Sequence, residues 1–127
     1  MRGLRVLALA ALVLLAAALV SARVGTLVQQ APTKAQSLRN PFEGQQRATR
    51  AGAKLFTREC AACHGSDGLG MGKAPPLNQF DVRDASPGAL FWVLRNGSLK
   101  RGMPSFSHLP EAQRWQIITY LRTLKPR

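Results

Sequence analysis

The sequence predicts an all-α domain, and three observations carry that expectation. Apolar residues recur at helical spacing in three separate stretches. The ground between them is broken by Gly and Pro. No run alternates apolar and polar residues as a half-buried strand would, and no internal repeat is present.

The first predicted helix spans residues 44–59, a stretch without Pro in which Ala48, Ala51, Leu55 and Phe56 fall on one face. Gly52 interrupts it at a cost of about 1 kcal/mol relative to Ala, which points to close packing against another backbone. A loop follows, marked by Gly65, Gly68, Gly70, Gly72, Pro75 and Pro76. Its Gly-Leu-Gly-Met-Gly run lacks the Lys-Ser/Thr ending and the preceding strand of a phosphate loop. The second helix opens at Ser86-Pro87, a cap followed by a residue suited to the first turn, and stops near Asn96-Gly97. After a loop carrying Met103-Pro104, the third begins near Pro110-Glu111 and ends by Lys125-Pro126. Ile117, Tyr120, Leu121 and Leu124 form one apolar face, and Trp115 and Ile118 extend apolarity to a second side. A terminal helix apolar on two sides needs two partners.

The chain has 127 residues, of which 46% are hydrophobic, and a formal net charge of +12. This is room for one domain, with or without an export segment, and the apolar content excludes a disordered basic tail. With two Trp, one Tyr and five Phe, an apolar core would be thin. A domain this small needs a disulfide, a metal or a cofactor to supplement it. The basic charge suits nucleic acid, an acidic protein or an anionic lipid surface equally well.

The N-terminus narrows the choice. Arg2 and Arg5 flank the start of an apolar run, residues 6–22, in which Ser21 is the sole polar residue. A basic start, an apolar middle and a small-residue end form a secretory signal, with cleavage expected after Ala22. The run also reaches the lower length limit of a membrane span, so residues 1–22 read as a signal peptide or an N-terminal membrane anchor. Either way the domain is exported, which places it in the periplasm of a bacterial cell and away from nucleic acid. Residues 23–41 are polar, aperiodic and punctuated by Pro32 and Pro41, and read as a linker. Residues 42–127 remain for the domain.

The two cysteines lie in Cys60-Ala61-Ala62-Cys63-His64. C-x-x-C-H is the attachment signature of a c-type haem. Thiols at that spacing can add to the two vinyl groups on one porphyrin edge, and the next residue can turn its imidazole to the iron. A redox C-x-x-C would sit at a helix start after a βαβ strand, which is missing here. A zinc site would need both Cys together with His64 and His108, and adjacent Cys63 and His64 fit a tetrahedron poorly. A disulfide across two residues would be strained and would close a trivial loop. Haem also supplies the missing apolar body, so the fold expected is three to four helices wrapped around one covalently attached haem c.

Iron held by His64 keeps an opposite position for Met71, Met103, His108 or an external ligand. Met103 is the choice. The second helix lies between it and His64, so the chain has length to cross the haem, and Gly102 and Pro104 shape its backbone. Met71 lies in the loop on the His64 side, and His108 abuts the last helix. His/Met ligation raises the reduction potential and suits reversible one-electron transfer without bond chemistry on a substrate.

With these residues in place, the chain resembles the class I monohaem cytochromes c over roughly residues 43–125. The likeness is carried by AGAKLFTRECAACHG, GKAPPL, ALFWVLRNG, RGMPSF and RWQIITYLRTL. The resemblance implies that the first and last helices cross at Gly52, Phe56 and Tyr120. It implies that Cys60 and Cys63 carry the haem, that His64 is the proximal ligand and Met103 the distal one. It further implies that Pro75 or Pro76 offers a carbonyl to the His64 Nδ1–H. The function implied is electron transfer between an exported or membrane dehydrogenase or respiratory complex and an acceptor such as a terminal oxidase. A haem subunit of a quinoprotein dehydrogenase complex is the alternative, and a haem enzyme or sensor with an open sixth position a further one. Lys73, Arg95, Lys100 and Arg101 are candidates for a face that docks an acidic redox partner, with Arg95 also a candidate for a haem propionate.

Overall fold

The computed structural model describes residues 26–126. Seven helical segments follow in order: α1 (Thr26–Gln29), α2 (Thr33–Gln36), α3 (Gln46–Glu59), α4 (Ala61–His64), α5 (Phe80–Arg83), α6 (Pro87–Asn96) and α7 (Glu111–Leu121), with a 3-10 turn at Leu99–Arg101. Among the described residues there is no strand, only isolated bridges at Met71–Ala74 and Ser98–Met103. The all-α expectation holds.

The core forms where α7 lies across α3. Helix α3 buries Ala48, Gly52, Leu55 and Phe56, one stripe at helical spacing. Helix α7 buries Trp115, Ile117, Ile118 and Leu121. At the crossing, a Cβ added to Gly52 would stand 1.9 Å from the Gln116 carbonyl oxygen and 2.9 Å from Tyr120 Cβ. The glycine therefore sets how closely the two backbones approach. Beside it the Phe56 and Tyr120 rings meet at 5.2 Å, tilted by 51°. The second apolar side of α7 meets α6, where Phe91 stacks on Trp115 at 4.1 Å and 18°. Both partners required by the two-sided helix are thus present.

Helix α6 starts and stops as its sequence predicts. Ser86 Oγ accepts a hydrogen bond from the Ala89 N–H at 3.1 Å, Pro87 occupies the first turn, and Gly97 ends the helix at φ 65°. Helix α7 departs from expectation, because it ends at Leu121 rather than near Lys125. Tertiary contacts draw the last residues off the helical path. The Asn78 amide donates to the Lys125 carbonyl at 3.1 Å. Leu124 reaches over Gly68, where an added Cβ would lie 2.9 Å from Leu124 Cδ1. Arg122 turns outward and donates to the carbonyls of Val82, Arg83 and Ala85. It thereby serves the open C-terminal end of α5, and burial pushes its pKa below the usual guanidinium value.

The expected linker is largely ordered. From residue 26 onward the segment 23–41 folds into α1 and α2, which pack against α6. Ala31 is buried, and an added Cβ at Gly88 would stand 1.9 Å from the Ala35 carbonyl oxygen. Asn40, also buried, donates to Thr119 Oγ1 at 2.9 Å and to the Trp115 carbonyl at 3.3 Å, while its Oδ1 accepts from the Phe42 N–H. One-turn helices have no periodicity to read, so the polar composition concealed this packing. The apolar run 6–22 lies outside the described residues, as does the proposed cleavage site. No helix among the described residues is long and apolar enough to cross a membrane.

Candidate haem site

Helix α3 delivers the motif. Its last turn closes with the Cys60 N–H donating to the Phe56 carbonyl at 2.8 Å, and α4 adds one turn that carries Cys63 and His64. The His64 N–H donates to the Cys60 carbonyl at 3.0 Å. The three side chains of the motif are therefore gathered on consecutive turns. Cys60 is buried within the main apolar cluster, whereas Cys63 is exposed, and neither forms a disulfide. Burial pushes the Cys60 thiol up to about 12, with the charges of Glu59 and Cys63 adding to the shift.

His64 Nδ1 lies 2.9 Å from the Pro75 carbonyl oxygen. A carbonyl only accepts, so Nδ1 carries the proton, and Nε2 is the ring nitrogen not engaged by this bond. Of the two prolines considered, Pro75 is the one that holds the ring. The loop is shaped for this contact. The Gly70 N–H donates to the His64 carbonyl at 2.8 Å, and the Leu77 N–H to the Gly68 carbonyl at 2.7 Å. Gly70 has φ 88°, and a Cβ there would stand 2.9 Å from both Ala74 O and Pro76 N. A side chain at this position would push the Pro75 segment off the imidazole.

Met103 is half-buried and packs against the main cluster to which Cys60 belongs. Its loop is closed by its own backbone. The Ser98 N–H donates to the Met103 carbonyl at 2.8 Å and the Met103 N–H to the Ser98 carbonyl at 3.0 Å. Just beyond, Ser105 Oγ donates to the Arg95 carbonyl at 2.5 Å and the Phe106 N–H to the Leu94 carbonyl at 2.8 Å. The loop is thus stitched to the end of α6. The other candidates stand elsewhere. Met71 is 58% exposed and bridges to Ala74. His108 is exposed, with Nε2 4.0 Å from Glu59 Oε2.

The donor set fits haem c. It offers two free thiols three residues apart in the chain, an imidazole held through Nδ1, and a thioether on a closed loop. Among the described residues no three His, Cys, Asp or Glu side chains gather as a metal-binding group, which leaves the zinc reading without a site. Two buried polar side chains near this region escaped the sequence reading, Asn78 and Arg114. For Arg114 a signal existed: it falls on the same helical face as Ile117, Ile118 and Leu121, where a cation is out of place.

Comparison with known proteins bears on the fold and the family. The family model described as cytochrome C oxidase, cbb3-type, subunit III matches residues 47–121, more than half of the chain. Among solved structures, cytochrome CL from the marine methylotrophic bacterium Methylophaga aminisulfidivorans MPT is similar in fold, with a TM-score of 0.58 and 22% identity. The likeness covers 68% of this chain and 59% of that one, so this chain spans less than two thirds of its neighbour's length. No curated protein sequence matches. Over residues 47–121 the chain belongs to the cbb3-type cytochrome c oxidase subunit III family, as a class I c-type cytochrome domain whose Cys60 and Cys63 carry one covalent haem c.

Proposed function

We propose that the protein is a one-electron carrier in which His64 and Met103 would hold the haem iron. The observation that carries this reading is the His64 Nδ1–Pro75 bond, which fixes the ring through Nδ1 and leaves Nε2 as the nitrogen that could ligate a metal. The closed loop around Met103 supports it, since the thioether is presented on backbone that is hydrogen-bonded at both ends. When bound, haem supplies the Fe(III)/Fe(II) couple. The chain's own contribution is to hold two ligands still, so that little moves when an electron arrives, and to wrap the macrocycle in apolar side chains.

The donor is an exported or membrane dehydrogenase or respiratory complex and the acceptor a terminal oxidase or its equivalent. Residues 1–22 direct the domain to the periplasm, as a cleaved signal or as an anchor. Lys73, Arg95, Lys100 and Arg101 are exposed and suit an acidic partner. Leu99, 82% exposed on the 3-10 turn between Ser98 and Met103, adds an apolar point of contact to that face.

The test compares the purified wild-type protein with Met103→Ala. The wild type should give a pyridine haemochrome spectrum of a covalent c-type haem, and its reduced form should not bind carbon monoxide at neutral pH. Met103→Ala should bind it readily and show a lower reduction potential. Ready carbon monoxide binding by the wild type would overturn the axial assignment. An electron-transfer rate indifferent to ionic strength would remove the docking face.

A further inference from the structure

Arg114 is 5% exposed, yet it has no buried carboxylate beside it. Its nearest acid is Glu111, with Oε1 4.0 Å from Nη2 and a side chain 76% exposed. A buried charge so weakly paired is expensive, and Leu or Met would fill the space without that cost. The guanidinium is spent on other contacts. Nη1 donates to the carbonyls of Ser107 at 3.2 Å and Phe106 at 3.4 Å. Its central carbon lies 4.7 Å from the centre of the Phe91 ring, which in turn stacks on Trp115. Nε is buried without a hydrogen-bond partner. What a cation adds here, and an apolar side chain could not, is a grip on two carbonyls of a segment that has neither helix nor strand.

That segment leads directly from Met103. Its backbone is hydrogen-bonded to α6 on one side through Ser105 and Phe106, and to α7 on the other through the Arg114 guanidinium, while the Phe106 ring packs in the common core. We propose that Arg114 is a positioning residue for the sixth ligand: its guanidinium ties the 106–107 backbone to α7 so that the Met103 thioether stays on the iron. The inference rests on the assignment of Met103 as that ligand. It predicts a specific weakness when the grip is lost, since the domain still folds around haem but the thioether yields to competing ligands.

The test uses the haem-loaded protein as wild type, Arg114→Met, Arg114→Lys and the exposed-site control Arg50→Met. Free imidazole is titrated into the ferric form at neutral pH, and displacement of the thioether is read from its far-red charge-transfer band. Hydrogen bonds from a charged donor are strong enough that losing them should raise imidazole affinity roughly tenfold or more in Arg114→Met. Arg50→Met should match the wild type. Arg114→Lys keeps the charge but not the planar fork, and should retain most of the reduction potential while remaining sensitive to imidazole. An Arg114→Met protein that melts lower but binds imidazole as the wild type does would overturn the proposal and leave Arg114 a packing residue. Should Arg114→Met fail to accumulate with haem, Arg114→Lys decides alone by the same titration. A wild-type spectrum without thioether ligation would overturn the functional reading first, and is recognisable before any variant is made.

Discussion

Replacing Gly52 by Ala adds one methyl group at the tightest point of the fold. The new carbon would stand 1.9 Å from the Gln116 carbonyl oxygen and 2.6 Å from the carbonyl carbon. Ordinary contact requires roughly 1 to 1.5 Å more. Neither atom can rotate away, because both belong to the backbone of α7, so the helices themselves must part. Separation would loosen the Phe56–Tyr120 contact and the packing of Ile117 along the same seam. Overpacking of this kind costs typically about 1–3 kcal/mol, and a rigid neighbour places it at the upper end. Alanine's better helix propensity returns about 1 kcal/mol. The net loss is about 2 kcal/mol, which lowers the melting temperature of a domain this size by about 10 °C. Thermal unfolding of the haem-loaded protein followed by circular dichroism measures it. Thr57→Ala, exposed on the same helix, serves as control and should stay within about 0.5 kcal/mol of wild type. A Gly52→Ala protein melting within a few degrees of wild type, or above it, would refute the claim that this glycine sets the helix spacing.

Other outcomes follow from particular contacts. Asn40→Ala removes buried hydrogen bonds to Thr119 and Trp115 and should cost about 1–3 kcal/mol in denaturant unfolding. Gly88→Ala would place a Cβ 1.9 Å from the Ala35 carbonyl, and the one-turn α2 should yield before α6 does. Trypsin should then cut at Lys34 and Arg39 roughly tenfold faster while the haem spectrum is unchanged. In the haem-free chain under native conditions, iodoacetamide should label exposed Cys63 well before Cys60, whose thiol is buried and raised to about 12. Concentrated guanidinium should equalise the two. The same shift has a sign for stability. A thiol whose pKa is raised by folding stays neutral in the folded chain, so its contribution is intact below pH 9 and is lost as pH climbs towards 12, because the unfolded thiol ionises first.

What could be read before the structure was what local chemistry dictates. The Cys60–His64 spacing, the Ser86-Pro87 start and the Gly97 stop each have a mechanism confined to a few residues. Gly52 was legible as a packing site because a glycine within a helix needs a reason. The choice between Pro75 and Pro76 was not, since a backbone carbonyl leaves no trace in side-chain identity and its aim depends on the turn at Gly70. The order within residues 26–40 was hidden for a related reason. Its stability comes from Gly88 and from Thr119, far along the chain, rather than from its own pattern. The end of α7 was misjudged because Asn78 and Arg122 redirect chain that still has helical composition.

The packing of α1 and α2 onto α6 also sets a distance. A flexible segment spanning residues 23–41 would let the domain range roughly 25 Å from whatever holds its start. With residues 26–40 folded into α1 and α2 and tied to α6 and Thr119, that stretch does not supply such slack. Where the apolar run stays in a bilayer, a domain held this way ranges less far than the roughly 25 Å a flexible segment would allow.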